Sequence, residues 1–548
     1  MLCSACGASI ADQSKFCGEC GAKQVKPSPT QSTRHESKRG FPVIKALNGN
    51  HPALKTIFIT THGFAESLAQ LLSEVDGYTS NVISTPSDSH EELAQMCKVR
   101  LKGAENVCIV GGFDDINPFQ VPNPSASPDD PDEWCFTDGL FACPDFDHDT
   151  DDAESAIPVA GVSRIPTLNE DTIRELLGTV TLEGNLRDQF CFGVTAQLWE
   201  PATAQIFLET SLNTMTLYAA PDWDEPSISD EINRSPASNK ARVFLFNVHG
   251  SDETTEWVGD GEDYRFAPTV LSPSALKDMS ESVLISEACY GGAMQYAEPS
   301  IVEKFFESKG KAFVGCSVVA YGNPGIQDMP LFSADVIALS LLRKLGEGLT
   351  LGESLRLAKQ ETLQEASNIC DVDDDLDIEM YGGYAAKAIL SFNAFGCPWI
   401  KFSDSVDGAA PQGEAQPSRP SASDRLSQLR TRVSARMQSR SQRLTQRLSP
   451  LRNSYRAKLP LKSQLFLMSV DESLSAFRSF RDAERIEGLL NTNQIKLSNC
   501  KFYKSKSKST GGYLISGQKS EVGGNRLETL ALITNGSGEL KLVLASKG

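Results

Sequence analysis

Two short segments of the sequence bring together the residue types that thiol chemistry needs. His249 and Gly250 close the apolar run ARVFLFNVHG, and Cys289 follows the apolar run VLIS within SEACYGG. A sulfur nucleophile needs an imidazole for proton transfer and backbone N–H groups that hold the oxyanion formed at an attacked carbonyl. A lone cysteine at a strand end is more often a small buried residue, so the pairing with a His-Gly strand end is what favours Cys289 and His249 as a catalytic dyad.

The remaining histidines have no comparable partner. His62 also precedes a glycine at the end of an apolar run, but Cys97 falls within a helical pattern and Cys108 lies inside the strand pattern VCIV. We therefore expect a structural role for His62. The other four histidines lie in linker or loop sequence or at the entry to an element, and they are His35, His51, His90 and His148.

A second group of cysteines has the spacing of a metal site. Cys3, Cys6, Cys17 and Cys20 form C-x2-C-x10-C-x2-C, and a glycine follows each pair. Four thiolates satisfy tetrahedral Zn(II) and leave no open coordination position, so we predict a structural zinc site in residues 1–24. The alternative is a redox pair of dithiols. The stretch resembles the zinc-ribbon modules that begin many prokaryotic multidomain proteins.

Alternating strand and helix patterns surround the histidine and the cysteine. The strand patterns include KTIFIT, NVCIVGG, VAGVSRIP, ARVFLFNVHG, SVLISEAC and KAFVGC, and helical patterns such as FAESLAQLLSEV and EELAQMCKVRLKG separate the first of them. This alternation predicts an α/β fold with a mainly parallel sheet flanked by helices. Catalytic groups of such sheets gather beyond the carboxyl ends of the strands, which is where His249 and Cys289 fall.

Shifts in composition divide the chain into regions. Its 548 residues, 40% of them apolar, fit three or four globular domains at roughly 150 residues each. We predict a zinc ribbon (1–24), a linker (25–45), an α/β domain (46–403, in halves of roughly 46–160 and 161–403), a flexible linker (404–424), a basic amphipathic helix (425–462) and a small C-terminal β-containing domain (463–548).

Charge is distributed unevenly along the chain. The net charge of −19 argues against a general attraction to nucleic acid or anionic lipid. Residues 425–458 instead place arginines between apolar residues at helical spacing, so nucleic acid, a membrane surface or an acidic partner, including the chain's own acidic body, stay open for this segment alone. No apolar run has the length of a membrane-spanning helix, and we expect a cytoplasmic protein.

Alternating aspartates in PDFDHDTDD could supply oxygen ligands to Ca(II). Counting from the first of them, Thr150 and Ala156 stand where the calcium loop of an EF-hand needs Gly and Glu. A solvated acidic loop is therefore the favoured interpretation. The aspartates are Asp145, Asp147, Asp149 and Asp151.

Several stretches together resemble one peptidase family in the same order along the chain. They are NVCIVGGFDDINPF, VAGVSRIPT, NVHGSDETTEW, SEACYGGAM, FVGCSVVAYGNP and FNAFGCPWIKF. Residues 54–403 look like the gingipain-like family of cysteine peptidases, in the wider clan that includes caspases, legumain and clostripain. The resemblance implies a caspase-like fold and hydrolysis of peptide bonds.

By this resemblance Cys289 is the nucleophile, and His249 donates a proton to the leaving amine. The amides of Gly250 and Cys289 would form the oxyanion hole. A pocket beside the nucleophile would hold the substrate side chain that precedes the cleaved bond. The residues that the resemblance assigns to this pocket are Ser317, Val318, Val319, Ala320 and Tyr321.

The sequence departs from the family pattern in three places. Ser163-Arg164 stands where the family has Gly-Arg, and Cys397 replaces an aspartate that is common in the closing strand. The acid that some members carry just before the Gly-Arg signature is also absent, so an orienting carboxylate stays unassigned. A dyad without a third member is workable, and the acids that could substitute are Glu154, Asp152 and Asp252.

These observations predict an intracellular cysteine endopeptidase that acts on protein or peptide substrates. The appended zinc ribbon, basic helix and C-terminal domain suggest regulation by a partner. The alternative is a non-catalytic scaffold or a module that binds nucleic acid or a protein partner, built on a degenerate peptidase domain in which His249 and Cys289 merely persist.

Overall fold

The computed structural model describes most of residues 51–403 and 465–546. Within these ranges it leaves out 75–80, 87–88, 126–129, 147–152, 187–188, 211–214, 221–224, 234–241, 261–266, 296–298, 325–329, 373–377, 493–494, 506–511, 521–526, 535–536 and 539. The predicted zinc ribbon, both linkers and the basic helix lie outside the described residues. So do three aspartates of the acidic loop, Asp147, Asp149 and Asp151, and the candidate orienting acid Asp152.

The α/β region consists of seventeen strands and nine helices among the described residues. The strands are β1 (Thr56–Thr60), β2 (Val82–Ile83), β3 (Asn106–Val110), β4 (Phe119–Pro122), β5 (Trp134–Thr137), β6 (Gly161–Ile165), β7 (Thr181–Leu182), β8 (Phe190–Ala196), β9 (Met215–Ala220), β10 (Arg242–Asn247), β11 (Trp257–Val258), β12 (Thr269–Leu271), β13 (Ser282–Ser286), β14 (Ala312–Cys316), β15 (Tyr321–Gly322), β16 (Phe392–Gly396) and β17 (Lys401–Phe402). The helices are α1 (Ala65–Ser73), α2 (His90–Arg100), α3 (Glu170–Gly178), α4 (Glu200–Thr210), α5 (Glu225–Asn233), α6 (Ile301–Glu307), α7 (Ala334–Gly346), α8 (Leu351–Val372) and α9 (Ile378–Ser391).

Ten of these strands form one sheet, in the order β2-β1-β3-β6-β16-β14-β13-β10-β8-β9. Neighbouring strands are parallel except β14 and β16, which are antiparallel. The sheet takes strands from both 46–160 and 161–403. The expected mainly parallel α/β sheet flanked by helices is confirmed.

The composition of the central strands explains why they lie inside the sheet. Every residue of β1, β3, β13 and β14 is buried, and their sequences TIFIT, NVCIV, SVLIS and AFVGC are dominated by apolar and β-branched residues. A parallel strand covered by helices on both faces has no solvent side, so its sequence does not alternate between polar and apolar residues. The carboxyl ends of these strands are therefore held rigidly.

Local signals in the sequence set the beginnings of several crossover helices. The side chains of Ser89, Asn169 and Ser300 accept hydrogen bonds from backbone amides in the first turns of α2, α3 and α6. Ser300 and Glu303 form a reciprocal capping box, which satisfies two amides that the helix itself leaves unpaired. These caps fix where each crossover leaves the sheet.

The C-terminal region forms a smaller sheet, as expected. Its elements are β18 (Leu465–Leu467), α10 (Val470–Arg478), α11 (Ala483–Thr492), β19 (Cys500–Ser505), β20 (Tyr513–Ser520), β21 (Leu527–Thr534) and β22 (Leu540–Ser546). The sheet order is β15-β22-β21-β20-β19-β18, so its first strand comes from the α/β region. Among the described helices, none combines the length and the apolar character needed to cross a membrane.

Candidate active site

His249 and Cys289 follow two neighbouring parallel strands of the central sheet. Strands β10 and β13 pair in register, with Phe246 opposite Ser286. The amide of Glu287 continues this contact by donating to the carbonyl of Phe246 over 2.8 Å. His249 and Cys289 each come three positions after the last paired residue of their strand, so both leave the sheet at the same edge and the same height.

Close packing between the two segments requires the glycine after the histidine. A Cβ atom at Gly250 would lie 2.0 Å from the carbonyl oxygen of Cys289 and 3.3 Å from the side chain of Ala288. No side chain can occupy that space without a shift of backbone. The Gly250 segment is therefore in direct contact with the backbone of the cysteine turn.

The turn after Cys289 has a left-handed backbone at a residue that is not glycine. Tyr290 has a φ of 55°, which costs energy for a bulky side chain. Three hydrogen bonds hold the turn in this conformation. The amide of Tyr290 donates to the carbonyl of Val318 over 2.9 Å, and its hydroxyl donates to Asp132 over 2.8 Å. The amide of Gly292 donates to the carbonyl of Cys316 over 2.7 Å. The turn presents Cys289 in one fixed orientation.

The Cys289 thiol is enclosed in this structure. Its side chain is 0% exposed, its sulfur accepts a hydrogen bond from the amide of Ala320 over 3.2 Å, and the thiol donates to the Ala320 carbonyl over 3.6 Å. Burial raises the pKa of the Cys289 thiol well above its ordinary value, with a further increase from the neighbouring Cys316. The thiol is therefore protonated and shielded from solvent in this arrangement.

The imidazole of His249 is held by a carboxylate that sequence reasoning missed. Its Nε2 lies 2.9 Å from Oδ1 of Asp260, while Oδ2 of Asp260 accepts a hydrogen bond from the amide of Leu198 over 2.6 Å. The backbone of His249 also pairs in both directions with Val258 over 3.0 Å. Together these contacts fix both the backbone and the ring of the histidine.

A buried indole packs against the same imidazole. The ring centroids of Trp199 and His249 are 4.5 Å apart, with the rings inclined at 57°. Trp199 is fully buried, so it restricts the ring of His249 on that side. Residues 197–199 form a single 3-10 turn between β8 and α4, and no pattern in the sequence singles out this tryptophan.

The segment predicted as a substrate pocket runs directly beside the cysteine turn. It follows β14, and all five of its residues are buried. The hydroxyl of Ser317 donates to the carbonyl of Phe136 over 2.7 Å, and Ala320 contacts the Cys289 sulfur as described. The members of this segment are Ser317, Val318, Val319, Ala320 and Tyr321.

A buried ionic cluster contacts the backbone of residues 317–321. The amine of Lys387 binds Asp130 at 2.6 Å and Asp132 at 2.7 Å, and Asp132 accepts a hydrogen bond from the amide of Val319 over 2.8 Å. Burial acts to lower the pKa of Lys387, but the carboxylates of Asp130 and Asp132 outweigh it and raise that pKa. Both aspartates come from the connection between β4 and β5, to which the sequence analysis assigned no role.

Ser163 and Arg164, which stand where the resembled family has Gly-Arg, both have structural contacts. Arg164 is buried and binds Asp138 through two hydrogen bonds of 2.8 and 2.6 Å, and it also donates to the carbonyls of Gly111 and Gly112. The hydroxyl of Ser163 donates to the carbonyl of Gly396 over 2.7 Å. Arg164 therefore ties the loop after β3 to the loop before the 3-10 turn at residues 139–142.

The other candidates named from the sequence lie in varied places. Asp252 is exposed, Glu154 is the second residue of a 3-10 turn at residues 153–156, and Cys397 is buried. The carboxylate at His249 is Asp260, which no motif marked because its approach depends on the pairing of residues 249 and 258. Among the described residues, no group of three or more His, Cys, Asp or Glu is arranged to hold a metal ion.

No protein-family model and no curated protein matches the chain. Several solved structures are similar in backbone, among them the following two. One is described as the Arg specific cysteine proteinase gingipain R, with 8% identity, a TM-score of 0.45, and coverage of 89% of this chain and 96% of that chain. The other is described as a protease, with 12% identity, a TM-score of 0.43 and the same coverage of both chains.

Proposed function

We propose that this chain is a cysteine endopeptidase of the gingipain-like, caspase-like kind, with Cys289 as nucleophile and His249 as proton donor and acceptor. The observation that carries the proposal is the register of β10 and β13, which brings the two residues to the same height at one sheet edge. The carboxylate of Asp260 at His249 adds the third group that orients a catalytic imidazole.

The chemistry follows from these groups. The thiol proton passes to the imidazole, and the sulfur forms a bond to the carbonyl carbon of the substrate. The amides of Gly250 and Cys289 stabilise the resulting oxyanion. Collapse of the tetrahedral intermediate breaks the C–N bond, and the imidazole gives the proton to the leaving amine. Water then hydrolyses the thioester, which releases the acid and restores the Cys289 thiol. Because Nε2 of His249 contacts Asp260, these proton transfers would use Nδ1.

The substrate of the proposed enzyme is a protein or peptide in an extended conformation. Residues 317–321 form one wall beside the nucleophile, and the ionic cluster of Asp130, Asp132 and Lys387 keeps that wall in place. The rigid wall favours selection of a particular side chain before the cleaved bond. The surrounding regions of the chain would regulate this activity in an intracellular effector.

One observation favours a second candidate function. The Cys289 thiol is fully buried, and its pKa is raised by that burial, which is unlike a nucleophile ready to react. A non-catalytic scaffold built on a degenerate peptidase domain would keep such a cysteine. The two candidates differ in whether Cys289 reacts with peptide electrophiles.

The test is hydrolysis of a peptide library by the full chain, compared with Cys289→Ala and with the control Cys108→Ala. Cys108 is also a buried cysteine, but it lies inside β3 and away from the proposed site. We expect Cys289→Ala to abolish hydrolysis and Cys108→Ala to retain it. Incubation with a peptide carrying a thiol-reactive group should label Cys289 in the same preparations.

Hydrolysis that persists in Cys289→Ala would contradict the proposal. The scaffold function would gain support if neither hydrolysis nor labelling of Cys289 occurred in a folded preparation. Labelling without hydrolysis would show an accessible thiol that lacks proton transfer, which would also count against the peptidase.

A further inference from the structure

The strand that continues from the proposed substrate wall is already paired with another part of the chain. Strand β15 consists of Tyr321 and Gly322, and it directly follows Ala320, which contacts the Cys289 sulfur. Its pairing partner is β22, the last strand of the C-terminal sheet. The edge next to the nucleophile is therefore filled by the chain's own C-terminal region.

The direction of this pairing is the one that brings β22 toward the thiol. The strands are antiparallel, with Gly322 opposite Ala545 and Tyr321 opposite Ser546. Each step toward the carboxyl end of β22 therefore moves one residue back along the other strand, toward Ala320. An extended peptide bound in a substrate cleft commonly pairs in this way with a free strand edge, through its backbone.

A second contact joins the C-terminal region to the histidine side of the site. Trp199, whose ring packs on His249, belongs to an apolar cluster that is otherwise built mainly from C-terminal residues. The buried members of this cluster from the C-terminal region are Phe477, Phe480, Ile486, Leu490, Ile495, Phe502, Ile515, Leu530, Leu532, Leu540, Val543 and Ala545. One folded unit thus contacts the supports of both the thiol and the imidazole.

We propose that the C-terminal domain, residues 465–546, inhibits the proposed active site in cis by occupying the strand edge at which the substrate backbone binds. The inference rests on the proposed peptidase function. In the closed arrangement β22 holds the Tyr321–Gly322 edge, and the enclosed Cys289 remains unreactive. Activation requires β22 to leave β15, which opens the edge and the path to the thiol.

The sheet order provides a matched pair of variants to test this. Ala545→Pro disrupts β22 at the residue that lies opposite Gly322 of β15 on one side and Leu530 of β21 on the other, because proline lacks the backbone amide and is poorly tolerated inside a sheet. Phe466→Pro makes the same change in β18, at the opposite edge of the same sheet. Two properties are measured for each full-length variant: the rate at which iodoacetamide alkylates Cys289, located by peptide mass, and the rate of peptide hydrolysis.

A disulfide that holds the two strands together gives the complementary measurement. Opposed residues of an antiparallel pair have Cα atoms about 4.5–5.5 Å apart, which suits a disulfide. Gly322→Cys with Ala545→Cys would lock β22 on β15. Ala531→Cys with Leu544→Cys would place a control disulfide between β21 and β22 and leave the β15 edge free to open.

We expect Ala545→Pro to raise the rate of alkylation of Cys289 by roughly tenfold or more. The loss of one or two hydrogen bonds shifts the equilibrium between the closed and the open state by about that factor. Hydrolysis should rise in parallel. Phe466→Pro should change neither rate. The disulfide of the Gly322→Cys, Ala545→Cys variant should suppress both rates until it is reduced. The control disulfide should leave both rates unchanged.

Equal alkylation of the wild type and Ala545→Pro, together with no suppression by the disulfide lock, would overturn the inhibitory role. Equal increases in Ala545→Pro and Phe466→Pro would also overturn it, because general loosening of the domain would then explain the effect. Faster alkylation without any hydrolysis would support the inhibitory contact and instead contradict the proposed peptidase. If Ala545→Pro does not fold, the disulfide pair decides by itself.

Discussion

Oδ1 of Asp260 lies 2.9 Å from Nε2 of His249, and its other carboxylate oxygen accepts the amide of Leu198. The carboxylate is thus fixed at both oxygens and cannot follow the ring if the ring turns. A carboxylate in this place holds one orientation of the imidazole and stabilises the charged form that appears during proton transfer. Asp260 is a positioning residue for the proposed dyad.

Removing this charge should affect turnover more than substrate binding. We expect Asp260→Asn to lower kcat by roughly 100-fold, the scale of general acid–base catalysis, and to leave KM nearly unchanged. Asp252→Asn is the control, because Asp252 is an exposed acid only three residues after His249. Steady-state kinetics and thermal unfolding of both variants check this. A loss of folding stability in Asp260→Asn, with kcat unchanged, would make the role of Asp260 purely structural.

Lys387 compensates two buried carboxylates, so its removal should destabilise the protein strongly. We expect Lys387→Met to cost about 3–5 kcal/mol of the free energy of unfolding, because Asp130 and Asp132 lose their buried counter-ion. Lys304→Met breaks an exposed pair with Glu307 and should cost less than about 1 kcal/mol. Urea denaturation measures both. Similar small losses in the free energy of unfolding for the two variants would contradict a stabilising role of the cluster.

The glycine beside the cysteine turn can be compared with a second glycine in the same sequence context. Gly250 and Gly63 each follow a histidine after an apolar run, but a Cβ atom at Gly63 meets nothing within 4 Å. We expect Gly250→Ala to lower the free energy of unfolding by about 1–3 kcal/mol through overpacking and to reduce hydrolysis. Gly63→Ala should be close to neutral in both. Denaturation curves that show equal effects would contradict the close contact.

The buried lysine of α8 should make stability depend on pH. Burial lowers the pKa of Lys359 from 10.5 to about 8, so between these values the unfolded chain binds more protons than the folded chain. Stability therefore rises with pH across that window. Relative to Lys359→Met, we expect the free energy of unfolding of the wild type to increase by up to roughly 3 kcal/mol from pH 8 to pH 10.5.

Chemical denaturation of both proteins across this range measures the difference. Below pH 8 Lys359 is charged in both the folded and the unfolded chain. Because the folded chain buries that charge at a cost in free energy, Lys359→Met should be the more stable protein in this range. Parallel stability curves for the two proteins would contradict the lowered pKa of Lys359.

Short-range patterns were sufficient to predict the sheet, and they also selected the two residues of the proposed dyad. The runs TIFIT and SVLIS are apolar along their whole length, which indicates strands that are buried on both faces. His249 and Cys289 could be selected because each follows such a run. The strand inference uses only residues that are adjacent in sequence, and the dyad inference adds the pairing of two such strand ends.

The parts of the site that sequence reasoning missed depend on contacts between distant segments. Asp260 reaches His249 through a single bridge between residues 249 and 258 that no periodicity reveals. Asp132 lies in the acidic stretch DDPDEW, and only the distant Lys387 distinguishes it from a solvated residue. The strand of Tyr321 and Gly322 is too short for any alternation pattern, so its pairing with Ser546 and Ala545 could not be predicted.

The pairing of β15 with β22 also determines at which point of synthesis the Tyr321–Gly322 edge can be covered. A ribosome makes the chain from its amino end, so Tyr321 emerges long before Ser546, its partner in the ladder. The α/β sheet can assemble while the C-terminal strands are still being translated. Each nascent molecule therefore passes through an interval in which its thiol edge is uncovered, and that interval lasts at least until β22 has been synthesised.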